Sequence, residues 1–165
     1  MAVVPVVQVG HPVLHRPTEP CGAPIPELAQ DLIDTMRVSP GCIGLAANQI
    51  GVNKRAFVVD VSQHFKAKKA NHGLIVLFDP EIVDVDGDKV EREGCMSVPD
   101  FTANVKRWRR IVLRGIGIDG DEVLLKAKGF ESRALQHEMD HLNGKIILDR
   151  VASLRSDIFH RVTYQ

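Results

Sequence analysis

The chain predicts an α+β domain, an antiparallel sheet joined to one well-marked helix. Three observations carry this prediction. Apolar segments broken by Asp86-Gly87 and Asp119-Gly120 read as strands turning back on themselves, since Asp-Gly supplies the positive φ angles of tight hairpins. After Gly129 the apolar period lengthens from about two residues to about 3.6, the signature of a helix. Strand and helix do not alternate along the chain, which argues against a doubly wound parallel sheet. With 165 residues, 44% of them hydrophobic, the chain can bury one core. No repeat, low-complexity tract or linker asks for a boundary, so residues 1–165 read as a single domain.

Residues 26–38 place Leu28, Leu32, Ile33 and Met36 at helical spacing. Pro26 suits the first turn, where its missing N–H would have had no partner, and Ser39-Pro40-Gly41 stops the helix. Residues 56–61 and 74–78 are apolar and β-branched enough for buried strands, and the basic stretch 64–69 between them reads as a solvated loop. A first hairpin is expected with Ile82, Val83 and Val85 before Asp86-Gly87 and Val90 after it. The second runs over residues 111–118, turns at Asp119-Gly120 and returns through Val123, Leu124 and Leu125. Phe130, Ala134, His137 and His141 then fall near one face of a helix that runs to Asn143 and is closed by Gly144. A short amphipathic stretch, residues 152–162, follows. The run Lys106-Arg107-Trp108-Arg109-Arg110 enters a strand, which splits its charge between two faces and is expected to pack Trp108 inward.

Lys+Arg and Asp+Glu both number 21, so no global field draws nucleic acid or an anionic membrane to the chain. No apolar run reaches membrane-spanning length, and the first ten residues lack the basic n-region of a signal peptide. The expectation is a soluble, cytoplasmic protein with no specific nucleic-acid binding and no membrane association. Cys21, Cys42 and Cys95 cannot all pair within the chain, so each is read as a thiol.

The chemistry gathers in Gln136-His137-Glu138-Met139-Asp140-His141. His137 and His141 stand four residues apart, which on a helix sends both imidazoles from one face in a chelating arrangement. Glu138 is rotated from His137 by about 100° and can act as general base on a water at such a metal without being a ligand. A catalytic metal of this kind needs a third protein ligand. Downstream, the H-E-x-x-H-x-x-G-x-x-H spacing fails, because Gly144 is present while position 147 is Ile147. Upstream, Glu93-Gly94-Cys95-Met96-Ser97 follows the first hairpin, where a strand end could present a thiolate, and Cys95 is the expected third ligand.

These residues resemble one family closely, the peptide deformylases, which remove the formyl group from the N-terminal methionine of new bacterial and organellar polypeptides. The family's Gly-x-Gly-x-Ala-Ala-x-Gln motif is similar to residues 42–49 and its Glu-Gly-Cys-Leu-Ser motif to residues 93–97. Its Gln-His-Glu-x-Asp-His motif is matched in full by residues 136–141, and the three stand in family order. The likeness extends to His11-Pro12-Val13-Leu14 and to Asn143-Gly144-Lys145. It implies antiparallel β-sheets packed around a central helix that carries the H-E-x-x-H motif. It also implies one divalent metal ion held by Cys95, His137 and His141, Fe(II) in the cell, with zinc, nickel or cobalt able to substitute, and Glu138 as general base and acid. By the same resemblance, the Gln49 amide and the backbone N–H of Met96 would stabilise the oxyanion, and Gly44 and Leu45 would lie along the substrate. The implied substrates are N-formylmethionyl nascent peptides and the product is formate. Residues 152–165 are shorter than the basic tail through which some members contact the ribosome, which leaves a transient ribosome contact at most.

Cys42 stands where the family has a glycine, so either the turn does not need that freedom of φ or Gly41 supplies it. Cys42 itself reads as a packing residue. Met96 replaces a leucine of similar volume. Arg107 is expected to pair with Glu93, and Ile43, Leu45, Phe101 and Leu135 are the expected walls of an apolar pocket for the methionine side chain. Two other readings stand beside the deformylase. One is a paralogue acting on another short N-acyl amide. The other is a zinc-stabilised binding domain without turnover, which is disfavoured because structural zinc normally takes four protein ligands.

Overall fold

The computed structural model describes residues 2–67 and 69–162. Among them the chain forms two α-helices and a six-stranded antiparallel sheet, an α+β architecture with one continuous sheet where the sequence suggested separate ones. Strands β1 (Gly44–Ala46), β2 (Ala56–Val59), β3 (Ile75–Cys95), β4 (Val98–Ile116) and β5 (Glu122–Lys128) lie side by side in that order. A short strand, β6 (Ile158–His160), pairs with residues 101–103 of β4, so the amphipathic C-terminal stretch adds to the sheet. Helix α1 (Pro26–Val38) precedes the sheet, and α2 (Gly129–Leu142) follows β5 directly.

The two helices cover opposite faces. Phe57 and Val59 of β2 join the core that includes Leu135, Met139 and Leu142 of α2. Ala56 and Val58, pointing the other way, join the core that includes Leu28, Leu32 and Met36 of α1. Burial on both sides explains why β2 is an uninterrupted apolar run with no polar alternation. A third, smaller cluster sets Cys95, Val98, Ala103 and Val105 against Ile146 and Ile147.

The first expected hairpin does not form. β3 continues through Asp86-Gly87, with Asp86 opposite Arg110 and Asp88 opposite Trp108, and the chain turns only at Met96-Ser97. Gly87 takes a φ of +62° inside the strand, so its freedom accommodates a local irregularity while the ladder continues on either side. A turn preference is local, whereas the β4 ladder pairs β3 along nearly its whole length and decides the outcome. Cys95 is therefore the last residue of β3, just before its hairpin turn. The second hairpin forms as expected, with the Gly117 N–H donating to the Asp121 carbonyl at 2.9 Å and Gly120 at φ +89°.

The phase of β4 also differs from expectation. Ala103, Val105 and Arg107 face inward, which turns Trp108 outward to 44% exposure. The Trp108 backbone instead serves to dock α2. Its N–H donates to Gln136 Oε1, and Gln136 Nε2 donates to its carbonyl, both at 2.8 Å. Most of α2 is buried, and its C-terminal Gly144, at φ +77°, lies so close to Arg16 that an added Cβ would meet that backbone at 2.6 Å. No helix among the described residues is long and apolar enough to cross a membrane.

Candidate metal centre

Two elements distant in sequence bring three donor atoms together. Helical spacing places His137 and His141 one turn apart on α2, with their Nε2 atoms 3.2 Å from each other. The end of β3 places the Cys95 sulfur 3.3 Å from His141 Nε2. All three donors lie within 4.8 Å of one another, a group that could hold a metal ion. Around one tetrahedral ion, ordinary metal–nitrogen and metal–sulfur lengths set N···N at about 3.3 Å and N···S at about 3.6 Å. The donor set fits such an ion.

The outer groups support the same reading. His137 Nδ1 faces Glu93 Oε1 at 2.9 Å, which fixes the ring and leaves Nε2 toward the other donors. Glu93 is buried and is also held by Arg107, through Nε at 2.9 Å and Nη2 at 3.0 Å, and by Arg133 Nη1 at 2.5 Å. The expected Arg107–Glu93 pair is therefore present. Arg107 also donates to Asp140, which Arg150 grips through Nε at 2.9 Å and Nη2 at 2.6 Å. Burial opposes charge on Glu93, but the His137 hydrogen bond and the Arg107 guanidinium outweigh it and hold the carboxyl below the usual range. Burial likewise opposes a thiolate, yet His141 and His137 outweigh it and hold Cys95 well below its ordinary value. A thiolate is the form of cysteine that binds metals.

Glu138 lies beside this group, with Oε2 buried and without a hydrogen-bond partner among the described residues. Burial, only partly offset by His137 and His141, pushes its carboxyl up to about 7, where it can both take and return a proton near neutral pH. Gly44 makes room for it, since a Cβ there would sit 2.7 Å from Glu138 Oε1. Gln49 is oriented from both ends. Its Oε1 accepts from the Ala46 N–H at 3.0 Å, so Nε2 points to Ser97 Oγ at 3.1 Å and to the Cys95 sulfur at 3.7 Å.

A cleft of about 490 Å³ opens onto these groups, with Gly44, Gln49, Cys95, Met96, His137 and Glu138 in its lining. Of the expected pocket walls only Ile43 lines it. Leu45 and Leu135 are fully buried in the two main cores and Phe101 packs against the third cluster, because inward strand and helix positions serve the core first. Leu45 borders the cleft only through its place next to Gly44 in β1. The walls come instead from Phe130 and from the segment read as a solvated loop, where His64 stacks on Phe130 at 4.4 Å. Lys68 of that segment lies outside the described residues. Gly41, at φ +70°, provides the backbone freedom absent at Cys42, whose thiol donates to the Gly44 carbonyl at 3.2 Å. Sequence reasoning missed Arg133 and Arg150, and no local signal marks them; Ser97 was read as part of the Cys95 motif, but its contact with Gln49 was not anticipated. A second cavity of about 570 Å³, lined in part by His72, Asp86, Arg110 and Lys126, shares no residue with this cleft.

The sequence profile of the polypeptide deformylase family matches residues 3–157. The peptide deformylase of Thermodesulfovibrio yellowstonii is 38% identical over 164 residues, covering 98% of this chain and 96% of that protein. That of Desulforudis audaxviator is 42% identical over 158 residues, covering 93% and 97%. Among solved structures, peptide deformylase from Ehrlichia chaffeensis in complex with actinonin superposes with a TM-score of 0.86 at 33% identity, covering 94% of this chain and 92% of that one. The Thermotoga maritima enzyme gives 0.82 at 32% identity, covering 93% and 100%.

Proposed function

The chain belongs to the polypeptide deformylase family, and from that premise we propose how its own residues remove an N-formyl group. The activity is hydrolysis of the formyl amide on the N-terminal formylmethionine of new polypeptides, with release of formate. Residues 1–165 form a single catalytic domain in which α2 is the central, motif-bearing helix. Cys95, His137 and His141 hold one divalent ion, Fe(II) in the cell, with zinc, nickel or cobalt as substitutes. When bound, that ion supplies a Lewis acid that polarises the formyl carbonyl and acidifies water.

The chain does the rest. An extended peptide lies along β1, an edge strand of the sheet, beside Gly44 and Leu45, with Gly44 lining the cleft. Glu138 takes a proton from the water attacking the formyl carbon. The Gln49 Nε2 and the Met96 N–H donate to the carbonyl oxygen as negative charge builds there. As the C–N bond breaks, Glu138 passes its proton to the departing amine, leaving formate and a free N-terminus. The substrates are nascent chains in the cytoplasm.

The observation that carries this reading is the convergence of three ionised or lone-pair donors beside a buried carboxyl with an unpartnered oxygen. The test is formate release from a formyl-Met tripeptide by oxygen-protected protein, beside Glu138→Ala, with metal content measured on both samples. We expect the variant to lose turnover by roughly 10²-fold or more while keeping its metal. A full metal site without turnover in the unaltered protein would overturn the assignment.

A further inference from the structure

The exposed charges around the cleft share one sign. Among its described lining residues the acids are Glu93, engaged by Arg107, Arg133 and His137, and Glu138, which belongs to the chemistry. The exposed charged side chains are Lys66, Arg92 and Arg161, all cations. None of the three is ion-paired with a carboxylate among the described residues. The neighbouring Glu91 is engaged by Lys89 at 2.6 Å and Arg133 at 3.1 Å.

Two of these cations are held in place without being neutralised. Arg161 Nη2 reaches the carbonyls of Cys95 at 3.2 Å, Val98 at 3.4 Å and Phe101 at 3.5 Å, which anchors its charge next to the metal-binding thiol. The Arg92 guanidinium lies over the Phe159 ring, 3.5 Å from its centroid. Gly94 stands between them. A Cβ on it would come within 2.7 Å of Arg161 Nη2, and Arg92, two residues back on the same side of β3, is about 7 Å along the strand. The cleft that holds Gly44 of β1 and Cys95 is lined also by Arg92, Gly94 and Arg161. An extended peptide advancing about 3.3 Å per residue from a formyl end at Cys95 brings its next residues within reach of these cations.

The geometry points to a specificity subsite. Arg161 and Arg92, with Lys66 on the rim, select nascent chains carrying Asp or Glu at the second and third positions after the formyl group. The inference rests on the deformylase reading and adds to it a preference set by this chain's own cations. Partly screened pairs of this kind give a preference of roughly three- to tenfold for two acidic residues at low ionic strength.

The experiment compares kcat/KM for formyl-Met-Asp-Glu, formyl-Met-Ala-Ala and formyl-Met-Lys-Lys amides with the metal-loaded protein, at low salt and again near 1 M. The ratio of acidic to neutral peptide cancels any loss of folded enzyme. We expect a ratio of roughly three to ten, carried by KM and falling toward one at high salt, with the dilysine peptide below the neutral one. Arg161→Gln should lower the ratio and Arg92→Glu should invert it. Turnover of the neutral peptide with a ratio near one, or a ratio that Arg92→Glu leaves in place, overturns the subsite alone. Formate from none of the three peptides overturns the activity itself and the subsite with it.

Discussion

Replacing Arg107 by alanine tests whether the buried ion network holds the metal centre. Arg107 is 5% exposed and ties Glu93 to Asp140, joining the partner of His137 to the residue just before His141. Its removal leaves neither carboxylate alone, since Glu93 keeps Arg133 and Asp140 keeps Arg150. The loss therefore falls at the low end for a broken buried pair, about 3 kcal/mol. For a chain of this size that lowers Tm by about 6–12 °C. Glu93, freed on one side, orients the His137 ring less firmly, which should weaken metal affinity by about 10- to 100-fold. The assay is thermal unfolding at pH 7 of metal-loaded and metal-stripped protein, with chelator competition on the loaded form. The stripped comparison separates the fold's loss from the ligand's, because bound metal adds its own stabilisation. Arg107→Lys keeps the charge without the planar fork and should fall between the two. A Tm within about 2 °C of the parent in both forms, with an unmoved chelator midpoint, would refute the reasoning.

Gly44→Ala should lower kcat by roughly tenfold or more with little change in Tm, because the new Cβ, 2.7 Å from Glu138 Oε1, displaces the carboxylate and not the core; a kcat within about twofold of the parent would contradict it. Burial, and secondarily Glu138, pushes the Cys42 thiol from 9.0 to about 12, so its alkylation by iodoacetamide at pH 8 should be far slower than in unfolded protein and should keep rising beyond pH 10. The sign for stability follows: the neutral thiol favours the fold fully below pH 9, and that contribution declines as pH climbs from 9 toward 12. A reaction rate that levels off near pH 9 would contradict the raised value. An iron-loaded form should lose activity in air faster than a nickel-loaded one, since an Fe(II)–thiolate centre is open to oxidation; equal half-lives would count against iron at this site.

Much of the centre was legible because its signals are local or nearly so. His137 and His141 need only helical periodicity to share a face, and Gly144 needs only its φ to end the helix. Pro26 and the Asp119-Gly120 turn were readable for the same reason. Asp86-Gly87 shows where such reading stops: the same dipeptide is a turn at one place and a point inside a 21-residue strand at the other. What separates them is pairing with β4, which no window around Gly87 contains. Trp108 was misplaced by a single step of strand phase, and one step exchanges the two faces.

By itself, then, the sequence determined the chemistry available: two imidazoles and a carboxyl on one helix, a thiol in a glycine-flanked segment, and a glutamine after a glycine-containing turn. It also determined that these belong to an α+β chain with a core large enough to exclude water. Only the tertiary structure decided which groups meet. Cys95 reaches His141 because β3 runs on to residue 95, and Glu93 comes to His137 by the same strand. Arg107 neutralises Glu93 across the pairing of β3 with β4, and Arg133 does so from α2. The cleft walls and the cationic rim were decided there too. Side-chain type is written at each position, but distance, burial and the resulting proton affinities are properties of contacts between positions that the chain order keeps apart.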